Sequence, residues 1–333
     1  EHSYLFVPGL YSSRRELLAG IGSVTTASVA GCLSGNESSE QVSTARLSTG
    51  ATSLIAPLIK SEGIDEEYDF ESKIFVRDSI SAYYGDFVGG TYNTLPSGPS
   101  AAVSRFNEGL DLSIIGSFNY SSMWWVSNDP DIRSIEDLEG ETVAVPLGSG
   151  AFALADAVVR ERTGQSVEEL AGETINAPGP GGSPPEVLTG GASVGLSWEP
   201  ALSSFIIRDN DLEAIVNVRE QYQSLFDADS FNLVWAVRND LIENNPEAVS
   251  GLLQAGQDVA DMYNEDLDGT ISKLIEQTAN EPEPIREAFQ SNRLEFSMDA
   301  LENSRDAMDT QLEVYRDLGV VDELPGGEIY HQF

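Results

Sequence analysis

The sequence is nearly empty of the residues that most enzymes use for covalent, metal or proton-transfer chemistry. Cysteine occurs once, at Cys32, and histidine only at His2 and His331. A disulfide within the chain is therefore excluded, and neither a Cys/His metal cluster nor a Ser-His-Asp relay has the material to form. The GxxxxGK phosphate loop, the HExxH zinc helix and the EF-hand calcium loop are all missing. No cofactor and no metal are expected. Lysine is almost as scarce, at Lys60, Lys73 and Lys273, so the 18 basic side chains are nearly all arginine. They stand against 55 Asp and Glu, a formal net charge of −37 over 333 residues. Such a surface repels phosphate backbones and anionic headgroups, which argues against a nucleic-acid partner. The acids are spread among apolar, periodic segments rather than gathered in a tail, so the chain reads as folded and halophilic rather than disordered. In molar salt the Debye length falls to about 3 Å and surface self-repulsion is screened.

What is present begins with SSRRELLAGIGSVTTASVAGC, Ser12–Cys32. Arg14-Arg15 followed by Leu17-Leu18 resembles a twin-arginine export signal. The apolar run from Leu17 to Ala30 is too short and too weakly hydrophobic to span a bilayer core of about 30 Å. It ends in Val29-Ala30-Gly31-Cys32, which resembles a lipoprotein box. The resemblance implies a signal over 1–32, a lipid on the Cys32 sulfur, and attachment to the extracellular face of the cell membrane after export. The bland alternative is a helix that begins with two arginines and buries a small Cys32. The polar stretch 33–44 has the composition of a flexible tether.

From Ala45 onward short apolar runs alternate with helical periods, the pattern of parallel α/β sheets. A strand over Lys73–Arg77, a Gly/Tyr/Pro-rich loop over Tyr83–Pro99, a helix from Ser100 and a strand over Leu112–Ile115 are predicted. A second set follows: strand Thr142–Pro146, a glycine loop Gly148–Gly150 and a helix to Arg162. NEGLDLSIIGS, Asn107–Ser117, aligns with TGGASVGLSWE, Thr189–Glu199, as one design used twice. After Phe231–Val237 the chain reads as nearly all helical to Leu318.

Several fragments together resemble the extracytoplasmic solute-binding proteins of ABC importers, in their nitrate/sulfonate/taurine and thiamine-precursor group. They are SIEDLEGETVAVP from Ser134 to Pro146, the segment from Gly190 that ends in Trp198-Glu199-Pro200, and NDLIENNP from Asn239 to Pro246. Ser193 stands where that family usually carries Asp, and Asp111 holds the corresponding place in the first half. The resemblance implies a type II periplasmic-binding-protein fold: two Rossmann-like α/β lobes, a two-segment hinge and a C-terminal helical cap. Lobe one would comprise 45–120 with 229–333, and lobe two 121–228. It also implies a monomer that delivers a small solute to a membrane permease without changing it. The rival is an enzyme on the same fold acting on a small aromatic or carboxylic acid.

In open α/β sheets ligands bind beyond the carboxyl ends of the strands. Thr49, Thr52 and Ser53 are there as hydroxyl donors or as ordinary helix N-caps. Tyr92 and Ser97 belong to the first-lobe loop, as an aromatic wall and a hydroxyl or as surface packing. Gly148-Ser149-Gly150 is either an anion cradle or a tight turn into a helix. Trp198 stacks on a solute or fills a strand end, and Glu199 holds a solute amine or an ion-pair partner in the hinge. Of Trp124 and Trp125, alternation lets only one face the cleft.

Overall fold

The computed structural model describes residues 40–209 and 211–333. The expected signal, with Arg14, Arg15 and Cys32, lies outside the described residues. Among the described residues ten strands form two five-stranded mixed sheets. In chain order they are β1 Glu40–Leu47, β2 Phe70–Arg77, β3 Thr94–Ser97, β4 Leu112–Tyr120, β5 Met123–Ser127, β6 Thr142–Val145, β7 Glu173–Asn176, β8 Val194–Trp198, β9 Glu213–Asn217 and β10 Phe231–Arg238.

The first sheet has the order β2-β1-β3-β10-β4 and the second β7-β6-β8-β5-β9. β1 runs parallel to β2 and β3, and β10 runs antiparallel to β3 and β4. β6 runs parallel to β7 and β8, and β5 antiparallel to β8 and β9. The chain passes from the first sheet to the second at Ser121–Ser122 and returns through 227–230 into β10. Each sheet therefore takes, in its fourth position, one antiparallel strand that has just arrived from the other. The end of β4 feeds the first crossing, and Met123 at the start of β5 pairs with Trp198 at the end of β8. That connection brings the carboxyl edges of the two sheets together.

Burial explains the order. Pro246 opens the helix Pro246–Glu265, and Val249, Leu252, Ala255, Val259 and Tyr263 recur at helical spacing on its buried stripe. With the helices Leu267–Ile275 and Pro282–Gln290 it covers one face of the first sheet, around Leu58, Trp235 and Val237. Met308, Leu312 and Tyr315 of the helix Leu301–Asp317 join a core that holds Leu95 and Ile114 of the first sheet and Val143 and Val194 of the second. A smaller core, with Val126, Ala144, Val187 and Leu202, closes the far side of the second sheet.

Three expectations change. β1 already begins at Glu40, inside the stretch 33–44 read as tether, and pairs with β2 from Glu40↔Phe70 onward. The predicted loop Tyr83–Pro99 contains most of a helix, Ile80–Val88, capped by Ser79, and then β3. Pro96 disguised β3: it has no N–H to give a ladder, and β3 meets β1 at a single register pair, Thr44↔Thr94. The internal alignment is displaced by one βα unit, because β8 occupies the place of β3 while β4 corresponds to the edge strand β9. Asp111 and Ser193 are thus not equivalent. Every unit repeats helix, glycine turn and apolar strand, so a local match cannot tell neighbouring units apart.

Candidate functional site

The loops after β1, β3, β6 and β8 all lie at the carboxyl edges that the crossings bring together. The helices Pro99–Asn107, Gly150–Thr163 and Ala201–Arg208 start there with no acid in the first turn, as does Ile80–Val88 after β2, whereas Ser183–Leu188 after the parallel strand β7 carries Glu186. The helices Val218–Phe226, Pro246–Glu265, Leu267–Ile275, Pro282–Gln290 and Leu301–Asp317 each carry one. A first-turn carboxylate stabilises a helix by about 0.3–1 kcal/mol. The ends at Pro99 and Gly150 forgo it, while Ala201–Arg208 draws one from Glu199, just before its start.

Two of these ends meet head to head. A Cβ on Gly150 would stand 2.4 Å from Ser100 Oγ and 3.7 Å from the Tyr315 ring. Ser100 is in the first turn of Pro99–Asn107 in lobe one, and Gly150 opens Gly150–Thr163 in lobe two. Both ends bear the positive pole of a helix dipole, so an anion placed between them would lower the energy of both. A side chain at 150 would have to displace the Ser100 hydroxyl, and glycine is favoured at 148 by φ of 74° in the turn.

The predicted residues divide on inspection. Ser149 is the N-cap of Gly150–Thr163: its Oγ accepts from Phe152 N–H at 3.1 Å and donates to Pro146 O at 2.8 Å. Thr49 is exposed in the loop after β1. Thr52 is buried, with its hydroxyl accepting from Leu47 N–H at 3.0 Å. Ser53 Oγ donates to Gly50 O at 2.6 Å and accepts from Asn280 Nδ2 at 2.8 Å. Ser97 is buried and donates to Gly98 O at 3.1 Å. Tyr92 sits in the first-lobe core, stacked on Phe87, with its hydroxyl on Tyr83 O. Burial raises its pKa to about 12. The structure thus brings Gly148, Ser149 and Gly150 to the interlobe junction and places Tyr92 inside the packing of lobe one. Trp198 is half-buried against the large shared core. Trp125 is fully buried, and its neighbour Trp124 packs on the small core of lobe two.

Glu199 has as its ion-pair partner Arg293, 94 residues further along the chain. Arg293 Nε donates to its Oε1 at 2.6 Å, and Arg293 also reaches Glu287 at 3.0 Å. Ser203 Oγ donates to Oε1 and Ser203 N–H to Oε2, both at 3.0 Å. The carboxylate therefore fills the free N–H end of Ala201–Arg208 and takes its counter-charge from the other lobe. Burial pushes the Glu199 carboxyl up, while Arg293 and Ser203 pull it down. On the opposite flank Arg219 of lobe two pairs with Asp229 at 3.0 Å and Glu295 at 2.6 Å, with its guanidinium 3.6 Å from the Tyr120 ring centre.

One apparent catalytic motif dissolves. Gly191-Ala192-Ser193-Val194-Gly195 has the G-x-S-x-G spacing of a nucleophile turn. Such a serine must follow a strand and precede a helix, whereas Ser193 precedes β8 and donates its N–H to Thr142 O at the opposite edge of the sheet. A cavity of about 330 Å³ in lobe two is lined by Trp124, Arg133, Arg162, Asn217 and Gln221. Among the described residues no cluster of His, Cys, Asp and Glu could hold a metal, and no helix is long and apolar enough to cross a membrane.

No family model matches the chain, and no curated protein sequence matches it. Solved structures do. The periplasmic aliphatic sulphonate binding protein SsuA from Escherichia coli superposes with a TM-score of 0.70 at 13% identity, covering 88% of this chain and 92% of that one. The alkanesulfonate-binding protein SsuA from Xanthomonas axonopodis pv. citri, bound to MOPS, gives 0.65 at 13%, covering 85% and 94%. The desulfurization enzyme DSZB gives 0.59 at 12%, covering 86% and 94%. At these identities what is shared is the architecture. The described residues have the two-lobed α/β fold of the periplasmic binding proteins.

Proposed function

We propose that this chain is the extracytoplasmic, lipid-anchored solute-binding protein of an ABC importer, closing on a small anion and passing it unchanged to a permease. The observation that carries the reading is the head-to-head meeting of two acid-free helix N-termini, one from each lobe, at Ser100 and Gly150. Without an anion the two positive poles oppose closure; with one they share it, which couples binding to a hinge motion. Glu199 is already paired, so it offers no free charge to a solute amine, and a sulfonate, carboxylate or nitrate-like oxyanion is the better fit. The sulfonate-binding structures of the same fold support this, and export on the twin-arginine route with a lipid on Cys32 would place the site outside the cell.

A thermal-shift and calorimetric screen in molar KCl against sulfonates, nitrate, carboxylates and pyrimidines tests the proposal. A bound solute raises the midpoint by mass action. No shift with any anion would sink it. The rival reading, an enzyme, has the desulfurization enzyme of this fold in its favour. It predicts that a sulfonate or sulfinate is consumed on prolonged incubation, whereas a binding protein returns it intact.

A further inference from the structure

Both crossings carry buried serines whose hydroxyls have no partner. Ser121 and Ser122 link β4 to β5, Ser230 leads into β10, and the three are 5%, 1% and 0% exposed. Their Oγ atoms make no hydrogen bond, while the two segments are tied through backbone groups: Ser121 N–H donates to Ser230 O at 2.7 Å and Glu199 N–H to Ser122 O at 3.3 Å. A buried hydroxyl without a partner costs about 1–3 kcal/mol, and three such groups on two adjoining segments form a concentrated liability. They lie where the carboxyl edges of both sheets meet, at the floor of the cleft. The basic groups beside them are already matched, Arg293 by Glu199 and Arg219 by Asp229 and Glu295, so an anion would find no free guanidinium there.

We infer that Ser121, Ser122 and Ser230 form a hydroxyl subsite on the hinge that takes an uncharged hydrogen-bonding group of the solute, such as an alcohol. The inference rests on the solute-binding reading and adds a second point of attachment: the charged group at the Ser100–Gly150 junction and a neutral polar group on the floor. Because both crossings contribute, the group bridges the two segments about which the lobes turn. The subsite prefers a hydroxylated small anion over its deoxy analogue.

The test compares 2-hydroxyethanesulfonate with ethanesulfonate by calorimetry in molar KCl, for the wild type and for the triple variant Ser121→Ala/Ser122→Ala/Ser230→Ala. The wild type should favour the hydroxylated sulfonate about tenfold, the worth of one well-made hydrogen bond. The variant should lose that preference while its solute-free thermal midpoint holds or rises. An equal preference in wild type and variant overturns the subsite, and so does a lower solute-free midpoint, which would assign the hydroxyls to structure. A second arm needs no solute. Ser230→Cys in a Cys32→Ser background should react with a small anionic thiosulfonate reagent. A thiol that stays inert in the native protein and reacts only on unfolding overturns the inference too. Failure of the wild type to bind any anion counts instead against the solute-binding reading, leaving the thiol arm to judge the floor.

Discussion

The two sheets have the same strand order, and what differs is their cover. The first lies under the long helix Pro246–Glu265 and its successors, which bury a core of their own around Trp235, Val249 and Val259. The second has one longer helix, Gly150–Thr163, and the short ones Val167–Leu170, Ser183–Leu188 and Ala201–Arg208, and shares its main core with Leu301–Asp317, a helix from the far end of the chain. Equal topology gives equal carboxyl edges and hence a cleft. Unequal cover makes lobe two the dependent partner, held by the last helix and by ion pairs to Arg293 and Glu295.

The largest effect should come from dilution of salt. Near 0.01 M the Debye length grows to about 30 Å and the formal −37 repels itself throughout. Native circular dichroism should vanish in one transition, because the shared core ties the lobes. Two separate steps would show that the lobes are independent. Next is Arg293→Met, which leaves Glu199 buried and unpaired. The expected cost is about 3–5 kcal/mol in denaturant unfolding, largely recovered by adding Glu199→Gln.

Alkali should act through Tyr315, which is fully buried on the bridging helix with its pKa raised to about 12. The folded chain keeps that proton while the unfolded chain loses it above about 10, so stability present below pH 10 declines towards pH 12 by roughly 3 kcal/mol from this residue. Tyr92 and Tyr120, also raised to about 12, add to the loss. Tyr315→Phe should flatten the slope in pH-dependent melting. Gly150→Ala, whose Cβ would press on Ser100 Oγ, should weaken anion affinity about tenfold by calorimetry, with Ser100→Ala in the same chain restoring part. The smallest effect is expected of Arg208→Ala. Its pair with Glu281 also joins the lobes, at 3.1 Å, yet it lies in solvent and should contribute under about 1 kcal/mol to the melting free energy. A loss as large as that at Arg293 would overturn the ranking by burial.

The architecture was legible where alternation is strong. Apolar runs such as Leu112–Ile115 and Val194–Leu196 are buried and are strands, and the C-terminal helices fall within a few residues of their apolar stripes. It was not legible at edges and interruptions. β7 reads ETIN with both ends exposed, so it carries no hydrophobic signature, and β9 is an edge strand likewise half-buried. Tyr92 illustrates the same limit at the site: its loop neighbours suggested a wall, but its ring packs on Phe75 and Phe87. Ser149 was legible as a cap or a cradle, since both roles use one hydroxyl at one turn. The junction of Ser100 with Gly150 and the pairing of Glu199 with Arg293 join residues 50 and 94 positions apart, and neither has a local correlate.

The segment around Arg293 has a mechanical consequence. It runs beside the end of β4, with Glu295 O accepting from Tyr120 N–H, and it grips lobe two with a positive hand at Glu199 and a negative one at Arg219. Two covalent crossings are thereby backed by a third, noncovalent rail. A protease nick within 227–230 should leave the fragments co-migrating as one particle in native sizing, parting only in denaturant.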